Sequence, residues 1–104
     1  MPEAPEVQTV ISTLEVQIRD LQIEEVQVVY PKIVEHTTPE AFIKQLTGQH
    51  FRKFFRWGKY LLFVLDDYDL VVHLRMEGKF YLLKQPSQDK HVHIRFRLSD
   101  GRWM

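Results

Sequence analysis

At 104 residues, 44% of them apolar, the chain has material for one modest core and not for two domains, and without cysteine it holds no disulfide and no thiolate metal site. No apolar run approaches the about 20 residues that span a bilayer, and the amino terminus shows no basic segment followed by an apolar one, so the expected location is the cytoplasm and no membrane partner is expected. Net charge is zero, but residues 1–50 carry three Lys/Arg against eight Asp/Glu while residues 51–104 carry eleven against six, so the second half either meets a polyanion or is simply an uneven solvated surface.

Residues 5–19 read as an amphipathic helix, with Val7, Val10, Ile11, Leu14 and Ile18 at three- and four-residue steps. Pro5 suits the first turn, where its missing N–H costs nothing, and Glu6 complements the helix dipole. Residues 21–30 hold the β-rich run Ile23, Val26, Val28 and Tyr30, closed by Pro31. A short second helix follows: Thr38 as N-cap, Pro39 at its first position, Phe42, Ile43 and Leu46 as the apolar stripe, Gly48 at its end.

From residue 51 the period changes to two. Candidate strands are 51–57, 60–66, 69–75, 79–84 and 91–98. In the last of these Val92, Ile94, Phe96 and Leu98 alternate with His91, His93, Arg95 and Arg97, which predicts one core face and one cationic face. Asp100-Gly101 signals a tight turn, and Trp103-Met104 opens a returning strand of two residues. So short a strand leaves its partner's edge open, which predicts a piece of a longer protein and offers an edge for self-association. The expected fold is mainly β with two helices: an antiparallel β-sandwich flanked by an N-terminal helix and a second short helix, truncated at its C-terminal edge.

The chain opens M-P-E-A-P-E. Loss of Met1 is expected before so small a residue as Pro2, and it leaves a secondary amine. Free α-amines titrate near pH 8 (about 7.7–8.0), so part of that amine is neutral and nucleophilic in a cell. Glu3 and Glu6 stand close enough to move protons. On the residues alone, Pro2 and the two glutamates either do this chemistry or merely cap the first helix. Lys59 beside Gly58 is a phosphate contact or a solvated turn lysine, His73 a donor or a buried, satisfied histidine, and Met76 a wedge or a cover for the core edge. His91 and His93 share a strand face, but two histidines without a third ligand make a weak metal site, so they read as part of the cationic surface.

P-E-A-P-E-V at 2–7, R-W-G-K-Y-L-L at 56–62, H-L-R-M-E-G at 73–78 and K-H-V-H at 90–93 together resemble, in order and spacing, the formamidopyrimidine-DNA glycosylase and endonuclease VIII family. The third and fourth segments are more similar to the formamidopyrimidine branch. The resemblance implies a base-excision repair enzyme, a bifunctional glycosylase/AP lyase that removes oxidised purines through a Schiff base on its N-terminal proline. Its expected partner is double-stranded DNA with an oxidised base or abasic site, in a bacterial, nucleoid-associated setting.

Residue by residue, the resemblance makes Pro2 the nucleophile at C1′, Glu3 the acid for ring opening and elimination, and Glu6 a supporting carboxylate. It makes Lys59 and His73 phosphate contacts beside the lesion, Met76 the filler of the gap left by the extruded base, and Glu77 part of the base pocket. His91 and Arg95 become DNA-facing residues of the cationic strand. Ala4 departs from the family's usual leucine. The family's later Arg and Phe void fillers, its helix-two-turns-helix and its zinc finger are not in the sequence, so residues 1–104 are expected to be an incomplete N-terminal catalytic domain with no cofactor of its own, poorly active alone. Zinc is expected in the full-length family, its ligands lying outside these residues. The alternatives are an endonuclease VIII-type enzyme for oxidised pyrimidines and a non-catalytic DNA-binding β-domain.

Overall fold

The computed structural model describes residues 3–75 and 78–104. Among these described residues two helices and five strands follow in the order α1 (Ala4–Ile18), β1 (Ile23–Val28), α2 (Pro39–Leu46), β2 (Lys53–Trp57), β3 (Tyr60–Val64), β4 (Asp69–His73) and β5 (Ile94–Leu98), with a 3-10 turn at Pro31–Ile33. Every strand pair is antiparallel. The expected mainly antiparallel architecture with two helices is therefore what the chain adopts. Among the described residues no helix is long and apolar enough to cross a membrane.

The chain forms two compact units, Met1–Leu21 with His50–Phe80 and Gln22–Gln49 with Tyr81–Met104. In the first, α1 packs on β2 and β3 of the sheet β2-β3-β4. Val7, Ile11, Leu14 and Ile18 are buried, which fits their 4-3-4 spacing on one helical face. Val10, expected on that stripe, is only half-buried, because it lies beside the 7-11-14-18 line. Burying such a side chain contributes about 1.5–3 kcal/mol each. Phe51, Phe54 and Phe63 lie against one another with centroids 5.6–6.3 Å apart, and Phe80 meets Phe63 edge-on at 6.0 Å. These rings need no polar partner and give the sheet's inner face most of its apolar bulk.

A polar clamp joins the ends of that unit. Arg52 donates from Nε to Asp66 Oδ1 at 2.9 Å and from Nη1 to Asp20 Oδ1 at 3.0 Å, and His50 meets Asp66 Oδ2 through its backbone N–H and Nδ1. The clamp thus ties the turn after α1, the entry to β2 and the exit of β3. Asp66 is held near about 2, below 3.8, first by the His50 ring hydrogen bond, with Arg52 adding to the effect against partial desolvation.

In the second unit β1 pairs with β5, with a register shift between Ile23 and Glu25, and α2 packs on β1. Thr38 caps α2 as expected, its Oγ1 accepting from Ala41 N–H at 3.1 Å. One expectation is corrected here. The stretch 79–84 is not a strand: only Leu83 pairs, with Trp103, since a ladder needs a partner along its whole length and none faces the other residues. The short return after Asp100-Gly101 pairs with β5 as expected: Phe96 exchanges both backbone bonds with Met104, and Leu98 N–H donates to Arg102.

Candidate active site

The site is best built from the β2–β3 hairpin. Trp57 pairs with Tyr60 across a two-residue turn of Gly58 and Lys59. The turn's positive φ, 61°, falls on Gly58, the first central position, where glycine avoids the strain any side chain would meet. Lys59 is thereby carried at an exposed tip. Tyr60 pairs onward with His73, so one row across the sheet reads Trp57, Tyr60, His73. The Tyr60 and His73 rings lie 4.9 Å apart at 57°. Lys59 and His73 therefore occupy the same end of the sheet.

His73 is oriented as well as placed. Its Nδ1 lies 3.1 Å from the backbone N–H of Arg75, which can only donate, so Nδ1 accepts. In the neutral ring the proton then sits on Nε2, which is left as a donor for an anion. Arg75 adopts a left-handed φ of 58°, an uncommon state for a side-chain-bearing residue, and the bond to His73 helps fix it. Gly78 N–H then donates to Leu74 C=O at 2.8 Å, closing the segment that carries positions 76 and 77. A Cβ on Gly78 would stand 2.2 Å from the Leu74 oxygen, so the closure needs glycine.

The first turn of α1 belongs to the same end of this unit. Arg56 Nε donates to Gln8 Oε1 at 3.3 Å, and its Nη1 donates to the Gly58 carbonyl at 2.9 Å. At the other end of the helix Asp20 meets Arg52, so α1 runs antiparallel to β2 with its start toward the hairpin tip. Glu3 is the helix N-cap residue, exposed and making no side-chain cap bond, and Glu6 is exposed in the first turn. A capping duty for Glu3's side chain is thus not what the structure shows.

Of the nine expected site residues, Glu3, Glu6, Lys59 and His73 belong to the first unit. Pro2, Met76 and Glu77 lie outside the described residues. His91 and Arg95 belong to the second unit. His91 is exposed, in a turn before β5, with Asp89 Oδ1 at 3.0 Å from its Nδ1. His93 lies against Tyr30 instead, at 5.3 Å, so the expected run of cationic side chains from residue 91 does not hold: β5 starts only at Ile94. Arg95 donates to the Ser87 carbonyl at 2.8 Å and to Gln27 Oε1 at 3.1 Å, while Arg97 lies 3.7–3.9 Å from Glu25 and Glu24. Much of that face is occupied with bonds inside its own unit. Among the described residues no three His, Asp or Glu side chains gather as a metal site.

Sequence reasoning missed Arg56, Gln8 and Gly78. Arg56 had a signal: it alternates with Phe54 onto the face of β2 on which α1 packs. Gly78 carried none beyond its residue type.

Residues 1–104 match the model of the formamidopyrimidine-DNA glycosylase N-terminal domain. The chain is 44% identical over 103 residues to formamidopyrimidine-DNA glycosylase of Bacillus subtilis (strain 168), covering 97% of this chain and 37% of that protein. It is 48% identical to the Bacillus licheniformis protein of the same name, over 97% and 38%. The structure matches wild-type Lactococcus lactis Fpg (MutM) in complex with DNA containing N7-benzyl-Fapy-dG at a TM-score of 0.90 and 40% identity, over 98% of this chain and 38% of that one. A complex of the same L. lactis protein with DNA containing an oxidised pyrimidine matches at 0.91 and 40%, over 98% and 39%. The chain thus spans less than two-fifths of the length of these relatives.

Proposed function

Because the chain belongs to the formamidopyrimidine-DNA glycosylase family, we propose that it is the amino-terminal catalytic domain of a bifunctional DNA glycosylase/AP lyase acting in base-excision repair. Its substrate is double-stranded DNA carrying an oxidised purine or an abasic site, met in the cytoplasm. The related complex with an oxidised pyrimidine supports extending the substrate class to such lesions. The observation that supports this reading is that the start of α1, the Lys59 tip and the His73 ring all lie toward one end of one unit.

The chemistry assigns each group a task. The ring nitrogen of Pro2, freed of Met1, gives its lone pair to C1′, and the bond from C1′ to the base breaks with its electron pair leaving on the base. The nitrogen's proton passes to the departing base, Glu3 delivers a proton to O4′ as the C1′–O4′ bond breaks, and the nitrogen lone pair closes the C1′=N+ iminium from which elimination proceeds. Glu6 supports the acid. Lys59 and the His73 Nε2–H hold phosphates, which position the strand without reading its sequence. Met76 fills the stack where the base leaves, an apolar wedge that offsets part of the few kcal/mol of extrusion. Glu77 lines the base pocket, and His91 and Arg95 meet the duplex.

The family's zinc module, expected outside these residues, adds grip on DNA, so residues 1–104 alone bind and excise poorly. The test is borohydride trapping on a duplex with an abasic site. Wild type is expected to leave a covalent adduct, with Pro2→Gly and Glu3→Gln weaker. A wild type of the full natural chain that never traps overturns the reading.

A further inference from the structure

Lys59 and His73 answer for phosphates; the aromatic surface between them has no such duty. The outward face of β2-β3-β4 carries Trp57, Tyr60 and His73 in one row and Phe55, Leu62 and Val71 in the next. Outward strand positions are usually polar. Here Trp57 is 71% exposed, and Phe55, Val71 and Tyr60 are each about half exposed. Trp57, Gly58, Lys59, Tyr60 and Val71 line an open concavity of about 430 Å³. A single lysine in the wall and an imidazole N–H at the end of the row give it a donor-rich rim. The one carboxylate among the face's strand residues, Asp69, stands two rows away, opposite Val64.

We propose that this shelf receives the nucleotide next to the lesion, unstacked, in the DNA strand whose phosphate Lys59 holds, its base lying on the Trp57 indole with Val71 and Tyr60 beneath. The chemistry fits this occupant. Every base has a π-face, so stacking on an exposed indole is tolerant of sequence, and the adjacent ammonium pairs with the phosphate of the same residue. A second copy of this chain is a poorer fit, because it would cover Lys59 without supplying an anion there. The inference rests on the reading that Lys59 meets DNA.

The test measures binding of the full natural chain to a labelled duplex containing a tetrahydrofuran abasic analogue, across a range of salt. Trp57→Ala is expected to weaken binding at least about fivefold, with the slope of log affinity against log salt unchanged and Trp57→Phe restoring most of the loss. Lys59→Ala is expected to weaken binding and to reduce that slope by about one. Binding by Trp57→Ala within about twofold of wild type, while Lys59→Ala still weakens it, overturns the shelf and leaves the parent reading standing. Failure of both variants to weaken binding overturns the shelf and the phosphate role together. Dimeric wild type made monomeric by Trp57→Ala assigns the face to a second copy and also overturns the proposal.

Discussion

Gly78 and His73 act on the loop after β4 from its two sides. His73 accepts the Arg75 N–H, and Gly78 donates to the Leu74 carbonyl across a gap with no room for a Cβ. Gly78→Ala must therefore shift backbone, not a flexible side-chain end. It is expected to cost about 1–3 kcal/mol in thermal unfolding, the range of overpacked sites, and to lower abasic-site trapping beyond what lost stability explains. An unchanged melting temperature with unchanged trapping contradicts that account of the loop. Residue types near the hairpin were legible in advance: Gly58-Lys59 reads as a turn, and His73 as a strand end. What the sequence could not show is which ring nitrogen of His73 is engaged, since that depends on a left-handed residue two positions on.

At the scale of elements, the clamp of Asp20, His50, Arg52 and Asp66 joins helix to sheet without apolar contact. Asp66's folded value of about 2 lies below its ordinary 3.8, so its contribution to stability is fully present above about pH 4 and is lost as pH falls toward 2. Wild type is therefore expected to lose melting temperature between about pH 4 and 2 more steeply than Asp66→Asn, which has no carboxylate to protonate. Equal slopes for the two in thermal scans across that range contradict the clamp. None of these four residues stands in a motif, and their sequence separation hid the network. Elements whose signal is local were legible: α1 by its 4-3-4 stripe, α2 by Thr38, Pro39 and Gly48. Strands were less so, because alternation at 79–84 and at His91–His93 says which side a residue faces and not whether a partner strand lies beside it.

For the whole molecule, the zero net charge concealed a basic second half, yet the charges of that half are unequally available. Arg52, Arg56, Arg95 and Arg102 have side-chain partners in the fold, whereas Lys59 stands at an exposed turn. The motif segments mark one end of one unit because they concentrate backbone conditions (a turn glycine, a strand terminus) that tolerate few residue types. The central claim concerns the amine of Pro2. It is tested most directly by trapping the full natural chain on an abasic-site duplex with borohydride, digesting the adduct and locating the sugar remnant by mass spectrometry. The remnant is predicted on a peptide that begins at Pro2, on its ring nitrogen, with Met1 gone. A remnant on Lys59 or another lysine, or an adduct on chains that still carry Met1, contradicts the claim.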